Sequence, residues 1–104
     1  MILITGAAIV AEHNRTAFLR LAEEHVTHSR AEPGCVSYHC LEDTMAPGQF
    51  LFVEKWRDRE ALQEHFAKPY SIDFIARVRA LAENQPEIVM HDVSGVRTTT
   101  PRGA

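Results

Sequence analysis

The feature that most restricts what this chain can become is a hairpin that is apolar on both sides. Cys35 to Asp43 and Gln49 to Trp56 are rich in aromatic and β-branched residues, and Thr44-Met45-Ala46-Pro47-Gly48 between them holds the Pro-Gly pair of a turn. Antiparallel pairing with Tyr38 opposite Glu54 puts Val36, Tyr38, Cys40, Phe52, Glu54 and Trp56 on one face, and Cys35, Ser37, Leu41, Leu51 and Val53 on the other. A hairpin in a small open sheet should alternate between a core side and a wet side. This one needs a cover on each face. The chain's own helices can supply one, and the other packs most economically on a second copy, so a homodimer is expected.

The rest of the chain supplies few elements with which to do this. At 104 residues it is long enough for one domain and too short for two, and is expected to divide into a domain over 1–96 and a flexible tail over 97–104. Residues 2 to 10 read as a first strand: the apolar run from Met1 to Val10 has no basic flank and is interrupted by Thr5 and Gly6, which argues against a signal peptide or a membrane span. Phe18, Leu21, Ala22, His25 and Val26 then recur at helical spacing, with Asn14 as the expected N-cap and Pro33-Gly34 ending the helix near Ala31. After the hairpin, Asp58 is expected to cap a helix that Pro69 stops, and a third helical segment runs from about Ser71 to Glu83. Ile88 to Val93 reads as the last strand. The order strand, helix, strand, strand, broken helix, strand is that of an α+β, ferredoxin-like split βαβ subunit with an antiparallel sheet.

Charge and cysteine content narrow the partners. A net charge of −3 gives no electrostatic reason to expect nucleic acid or an anionic membrane, and small organic molecules or protein partners fit better. Cys35 and Cys40 are five apart in one strand, so they are expected on opposite faces and unable to bridge; two reduced cysteines suggest the cytoplasm.

Against this background three residues stand out. His65 falls four residues after Ala61 and three after Leu62, on the stripe of its helix that should be apolar, and the preceding strand carries Glu54 and Trp56. A core histidine tied to Glu54 or to a carbonyl is one account of His65, and a working imidazole is the other. The remaining histidines give less. His25 and His28 are three apart on one helix with no third ligand at a defined spacing, so they read as solvated or structural, as do His13, His39 and His91. No Gly-rich strand-to-helix turn for a flavin or nicotinamide is present.

Three segments taken together, Ser29-Arg30-Ala31-Glu32-Pro33-Gly34-Cys35-Val36-Ser37-Tyr38, Glu54-Lys55-Trp56-Arg57-Asp58 and Ala61-Leu62-Gln63-Glu64-His65-Phe66, resemble the antibiotic biosynthesis monooxygenase (ABM) family, the quinol monooxygenase-like dimeric α+β barrels. The resemblance implies a ferredoxin-like subunit, a dimeric α/β barrel in which two sheets face each other, and a pocket between sheet and helices. It also implies an enzyme, although the family includes cofactor-free oxygenases of phenols and quinols, heme-degrading enzymes and enzymes that isomerise or degrade small signalling sugars. The iron-ligating His and first-strand Asn of the heme-degrading relatives would fall at Ile75 and within Gly6-Ala7-Ala8, so the likeness points away from heme.

The expected activity is therefore a cofactor-independent monooxygenase, with molecular oxygen and a quinol, phenol or related aromatic as its substrates. A phenol with a pKa near 10 is only about one part in a thousand ionised at pH 7, so a base is useful. His65 is the expected base, Glu54 would orient it or stabilise its charge, and Tyr38 would hydrogen-bond the substrate oxygen. Phe52, Trp56, Phe66, Tyr70 and Phe74 would form aromatic walls, and no cofactor or metal is expected. Two alternatives remain: an isomerase or degrading enzyme for a small carbonyl or signalling compound, and a ligand-binding dimer without turnover.

Overall fold

A computed structural model describes residues 1–102 of the chain. Residues 103 and 104 of the expected tail lie outside the described residues, and 97–102 contain no helix or strand. Four strands, β1 (Ile2–Ile9), β2 (Cys35–Glu42), β3 (Gln49–Trp56) and β4 (Ile88–Asp92), form one antiparallel sheet in the order β2-β3-β1-β4. Three helices, α1 (Arg15–Arg30), α2 (Arg59–Ala67) and α3 (Pro69–Leu81), lie on one face of the sheet. The chain is thus α+β with the ferredoxin-like order, and no helix of the described residues is long and apolar enough to cross a membrane.

The hairpin register is the expected one: Tyr38 faces Glu54 on β3, and Glu54 in turn faces Ile4 on β1. Directly paired residues share a sheet face. The helix side therefore carries Ile2, Ile4 and Ala8 of β1 and Phe50, Phe52, Glu54 and Trp56 of β3, all buried. At the start of β2 the pattern departs from simple alternation. A bulge between Cys35 and Ser37 spends an extra residue on β2, so Val36 turns outward and Cys35 packs against the core, the reverse of the expected placement. The bulge also brings Cys35 and Cys40 to the same side of the sheet, where both are free thiols. Burial pushes the Cys40 thiol up to about 12, as befits a small apolar filler.

Helix ends follow local chemistry with two differences. Asp58 caps α2 as expected, its side chain accepting from the Ala61 amide at 2.8 Å. Asn14 stands at the N-cap position of α1 but makes no capping bond; a single 3-10 turn over Glu12–Asn14 leads into the helix, and the Asn14 amide reaches toward the Leu81 carbonyl instead. Pro69 both stops α2 and begins α3, because its missing N–H and fixed φ suit a first helical position, so α3 starts two residues before Ser71. It also ends earlier, at Leu81, where Ala82 bridges to Val10 and the Glu83 amide donates to the Ile9 carbonyl at 2.7 Å.

Gly34 sits where the α1–β2 reversal meets α2. A Cβ at this position would overlap the Cβ of Ala61, and the Gly34 carbonyl accepts from the Arg57 amide at 2.9 Å, so the loop cannot simply lift away. Gly34→Ala is expected to cost about 1–3 kcal/mol through overpacking. In a urea-denaturation double-mutant cycle with Ala61→Gly, most of that loss should appear as coupling between the two positions; additive effects would contradict the contact.

Candidate functional site

The sheet register and the helix stripes converge on one place. Paired rows Tyr38–Glu54–Ile4 and Cys40–Phe52–Gly6 run across the helix side of the sheet. Above them α1 presents Phe18, Ala22, His25 and Ser29, α2 presents Ala61, Leu62 and His65, and α3 presents Ser71, Phe74 and Val78. Between the layers lies a largely apolar cavity of about 640 Å³, counting its open mouth. Its polar lining includes His25, Tyr38, Glu54 and His65, while Gly6 and Ala8 keep the β1 side low and Arg79 and Glu87 stand among the lining residues.

His65 is 1% exposed, so its ring must find its hydrogen bonds inside the protein. Its Nδ1 lies 2.6 Å from Oε2 of Glu32, the residue just before the Pro33-Gly34 reversal. The same carboxylate oxygen accepts from the Tyr70 hydroxyl at short range. Burial lowers the pKa of His65, while Glu32 opposes the fall, so the ring is neutral at neutral pH. A neutral imidazole against a carboxylate carries its proton on the facing nitrogen. Nδ1 therefore donates to Glu32, and Nε2 keeps its lone pair. Trp56 packs against the ring, with centroids 4.3 Å apart, and Ser71 Oγ lies 3.5 Å from both ring nitrogens, at the limit of hydrogen bonding.

Glu54 stands nearby in a different state. Its Oε1 accepts from Trp56 Nε1 at 2.9 Å and lies 4.0 Å from His65 Nε2, and the Tyr38 phenol lies beside the carboxyl. Burial raises the Glu54 pKa to about 7, against the opposing hydrogen bonds from Trp56 and Tyr38, so the group is poised between acid and carboxylate. Burial and Glu54 together push the Tyr38 phenol well above its ordinary value, keeping it a donor. His25 lies flat against Phe74, with centroids 3.7 Å apart and planes within 2°. Burial, then the neighbouring His65 and His28, lowers its pKa to about 3.

The expected site residues are therefore gathered only in part. Tyr38, Phe52, Glu54, His65, Phe66 and Phe74 all border the cavity. Trp56 and Tyr70 do not: Trp56 is fully buried behind His65 and Glu54, and Tyr70 faces an outer groove with His28 and Asp73. The carboxylate hydrogen-bonded to His65 is Glu32 rather than Glu54. Glu32 had a sequence signal, since an acid just past a helix C-terminus meets the negative end of the helix dipole and needs a compensating partner. His25 had one too, lying on the buried stripe of α1 as His65 lies on that of α2. Among the described residues no group of three or more His, Cys, Asp or Glu side chains is arranged to hold a metal ion.

The sequence profile of a family described as "Antibiotic biosynthesis monooxygenase" matches residues 1–77. The chain is 34% identical over 97 residues to the protein sll1783 of Synechocystis sp. (strain ATCC 27184 / PCC 6803 / Kazusa), a match spanning 93% of this chain but 66% of that protein, just under two thirds of its length. It is 30% identical over 94 residues to a Bacillus subtilis (strain 168) protein provisionally named monooxygenase YcnE, covering 90% of this chain and 99% of that one. The structure of Rv0793 from Mycobacterium tuberculosis superimposes with a TM-score of 0.84 at 25% identity, over 93% of this chain and 98% of that one.

The raised pKa of Glu54 has a consequence for stability. Its folded value, about 7, exceeds the ordinary 4.5, so the folded state holds this proton more tightly and loses stability as pH rises from about 4.5 through 7. Glu54→Gln keeps an acceptor for Trp56 and has nothing to ionise. Its stability relative to wild type should climb across that window by up to about 3 kcal/mol. A difference between the two proteins that stays flat from pH 4.5 to 8 would contradict a protonated, buried Glu54.

Proposed function

The chain belongs to the antibiotic biosynthesis monooxygenase family, and on that premise we propose that the cavity is the active site of a cofactor-independent monooxygenase acting on a quinol, phenol or related aromatic. The observation that carries this reading is the Glu32–His65 hydrogen bond at 2.6 Å, which leaves a bare Nε2 in a mostly apolar space. Such a nitrogen is suited to take a phenolic proton. Lowering a phenol pKa by two units requires about 2.7 kcal/mol of preferential stabilisation of the anion, within reach of one oriented base in a mostly apolar site.

In the proposed reaction, the substrate hydroxyl gives its proton to His65 Nε2. The imidazolium so formed is held by Glu32 through Nδ1–H. Glu54 lies on the substrate side of the ring, 4.0 Å from Nε2, and in its protonated form adds no negative charge against the substrate anion. Tyr38 is the proposed donor to a substrate oxygen, with Phe52, Phe66 and Phe74 enclosing the ring. The electron-rich anion then reduces oxygen directly. For a quinol the balance is quinol plus O2 giving hydroxyquinone plus water: one oxygen atom enters the ring, the other leaves as water, and the quinol supplies all four electrons. An isomerase using the same base would move a proton without consuming oxygen.

We further propose that the subunit pairs with a second copy through the open sheet face. Leu41, Leu51, Ile9 and Val89 project from the side away from the helices and are 40–53% exposed, a contiguous apolar surface of the kind that isologous dimers cover. Leu51→Glu is expected to shift the particle toward monomer in sedimentation experiments, whereas an unchanged sedimentation coefficient would argue against pairing on this face.

Replacing the base separates function from support. His65→Ala, compared with wild type by oxygen uptake on a panel of quinols and by thermal denaturation, is expected to lose about 10²–10⁴-fold in kcat. Retained turnover with lowered melting temperature would make His65 a structural tie and remove it from the proposed mechanism.

A further inference from the structure

The oxygen atom that leaves as water needs a proton just as the ring gives one up. Once oxygen has added to the quinol anion and His65 has returned its proton, the ring bears a hydroperoxide, C–O–OH, on a carbon that still carries hydrogen. To finish, the C–H bond breaks and its electron pair forms the new carbonyl, while the O–O bond breaks and its pair leaves with the distal oxygen. A base must take the carbon-bound proton while an acid protonates the departing oxygen. One group cannot do both at once. His65, with Nε2 bare again, is the base.

Few side chains at the cavity can be the acid. Burial pushes the Tyr38 phenol well above its ordinary value and keeps His25 uncharged, so both give up a proton reluctantly. Arg79 and Glu87 are exposed. Glu54 differs from all four: its side chain keeps 8% of its surface open, it borders the cavity, and its Oε1 lies 4.0 Å from His65 Nε2. That gap is too long for a hydrogen bond, yet short enough for both groups to act on one C–O–OH unit. Oε1 accepts from Trp56 Nε1, which leaves the acid proton to Oε2.

We propose that Glu54 is a further catalytic residue, the general acid that protonates the oxygen departing as water while His65 takes the carbon-bound proton. This rests on reading the cavity as a quinol monooxygenase site. Burial raises the Glu54 pKa to about 7, near the pH at which a general acid both holds its proton and releases it. The proton on Nε2 then returns to the Glu54 carboxylate through the water just formed. Without the acid the hydroperoxide has another exit: the remaining hydroxyl loses its proton, the C–O bond breaks, and hydrogen peroxide departs. Quinol and O2 then give quinone and H2O2, with no oxygen atom entering the ring.

The test follows hydroxyquinone, quinone, H2O2 and oxygen uptake, each above the protein-free rate, for the full chain on a panel of quinols in air. Wild type should yield mostly hydroxyquinone. Glu54→Gln, which keeps an acceptor for Trp56 but has no acid proton, should lose about 10²-fold in the rate of hydroxyquinone formation. Its oxygen uptake should fall far less, with quinone and H2O2 as the main products. Glu54→Asp, an acid on a shorter arm, should lie between the two. If the Gln variant does not fold, Glu54→Asn against Glu54→Asp makes the same comparison one methylene shorter. A Gln variant as well coupled as wild type, or one that loses oxygen uptake and hydroxyquinone in parallel without peroxide, overturns the role of Glu54 and leaves the monooxygenase reading standing. Uncoupling as complete with Asp as with Gln traces the effect to shape rather than to the proton and also overturns it. A wild type that consumes no oxygen on any quinol, or that makes only quinone and H2O2, overturns the monooxygenase reading and the acid role with it.

Discussion

One carboxylate holds the three helices and the cavity in register. Glu32 leaves the C-terminal end of α1, accepts from His65 of α2 and accepts from Tyr70 of α3. Hydrogen bonds to a charged group are worth about 1.5–3 kcal/mol each, and a charge left unpaired at this depth would cost more than that. The Pro33-Gly34 reversal makes the arrangement possible, because Gly34 lets the loop lie directly on Ala61 and so brings Glu32 up to the α2 ring. Stability and site geometry are therefore the same contact viewed from two sides.

Burial shifts four groups that line the cavity, Tyr38, Glu54, His25 and His65, toward their neutral forms. Burial raises Glu54 to about 7 and the Tyr38 phenol above its ordinary range, and it lowers both His25 and His65. In that setting Glu32, set behind the imidazole, would balance the proton taken from a substrate. Trp56 contributes from outside the cavity, spanning His65 with its ring face and Glu54 with its indole N–H.

Most of the architecture was legible in the chain because period-two and helical patterns are strong in it. The Tyr38–Glu54 register, the Asp58 cap and the broken second helical segment all follow from short-range rules. The pattern failed at Cys35 and Val36, since a bulge adds a residue without altering composition. At the site, His65 and Glu54 were visible as polar residues on apolar stripes. Glu32 was not legible as the partner of His65, because pairing across 33 positions leaves no local periodicity. Trp56 and Tyr70 had the composition of pocket walls, and what removed them was direction: one points behind the imidazole, the other toward the outer groove.

Glu32 is expected to set the tautomer of a neutral His65 and to leave Nε2 unprotonated. Nitrogen-15 NMR of histidine-labelled protein at neutral pH tests this directly. The expected spectrum is that of a neutral His65 ring with a protonated Nδ1 coupled to Glu32 and a bare Nε2, and that signal should convert when Glu32 is replaced by Gln. An imidazolium at His65, or a neutral ring protonated on Nε2, would contradict it.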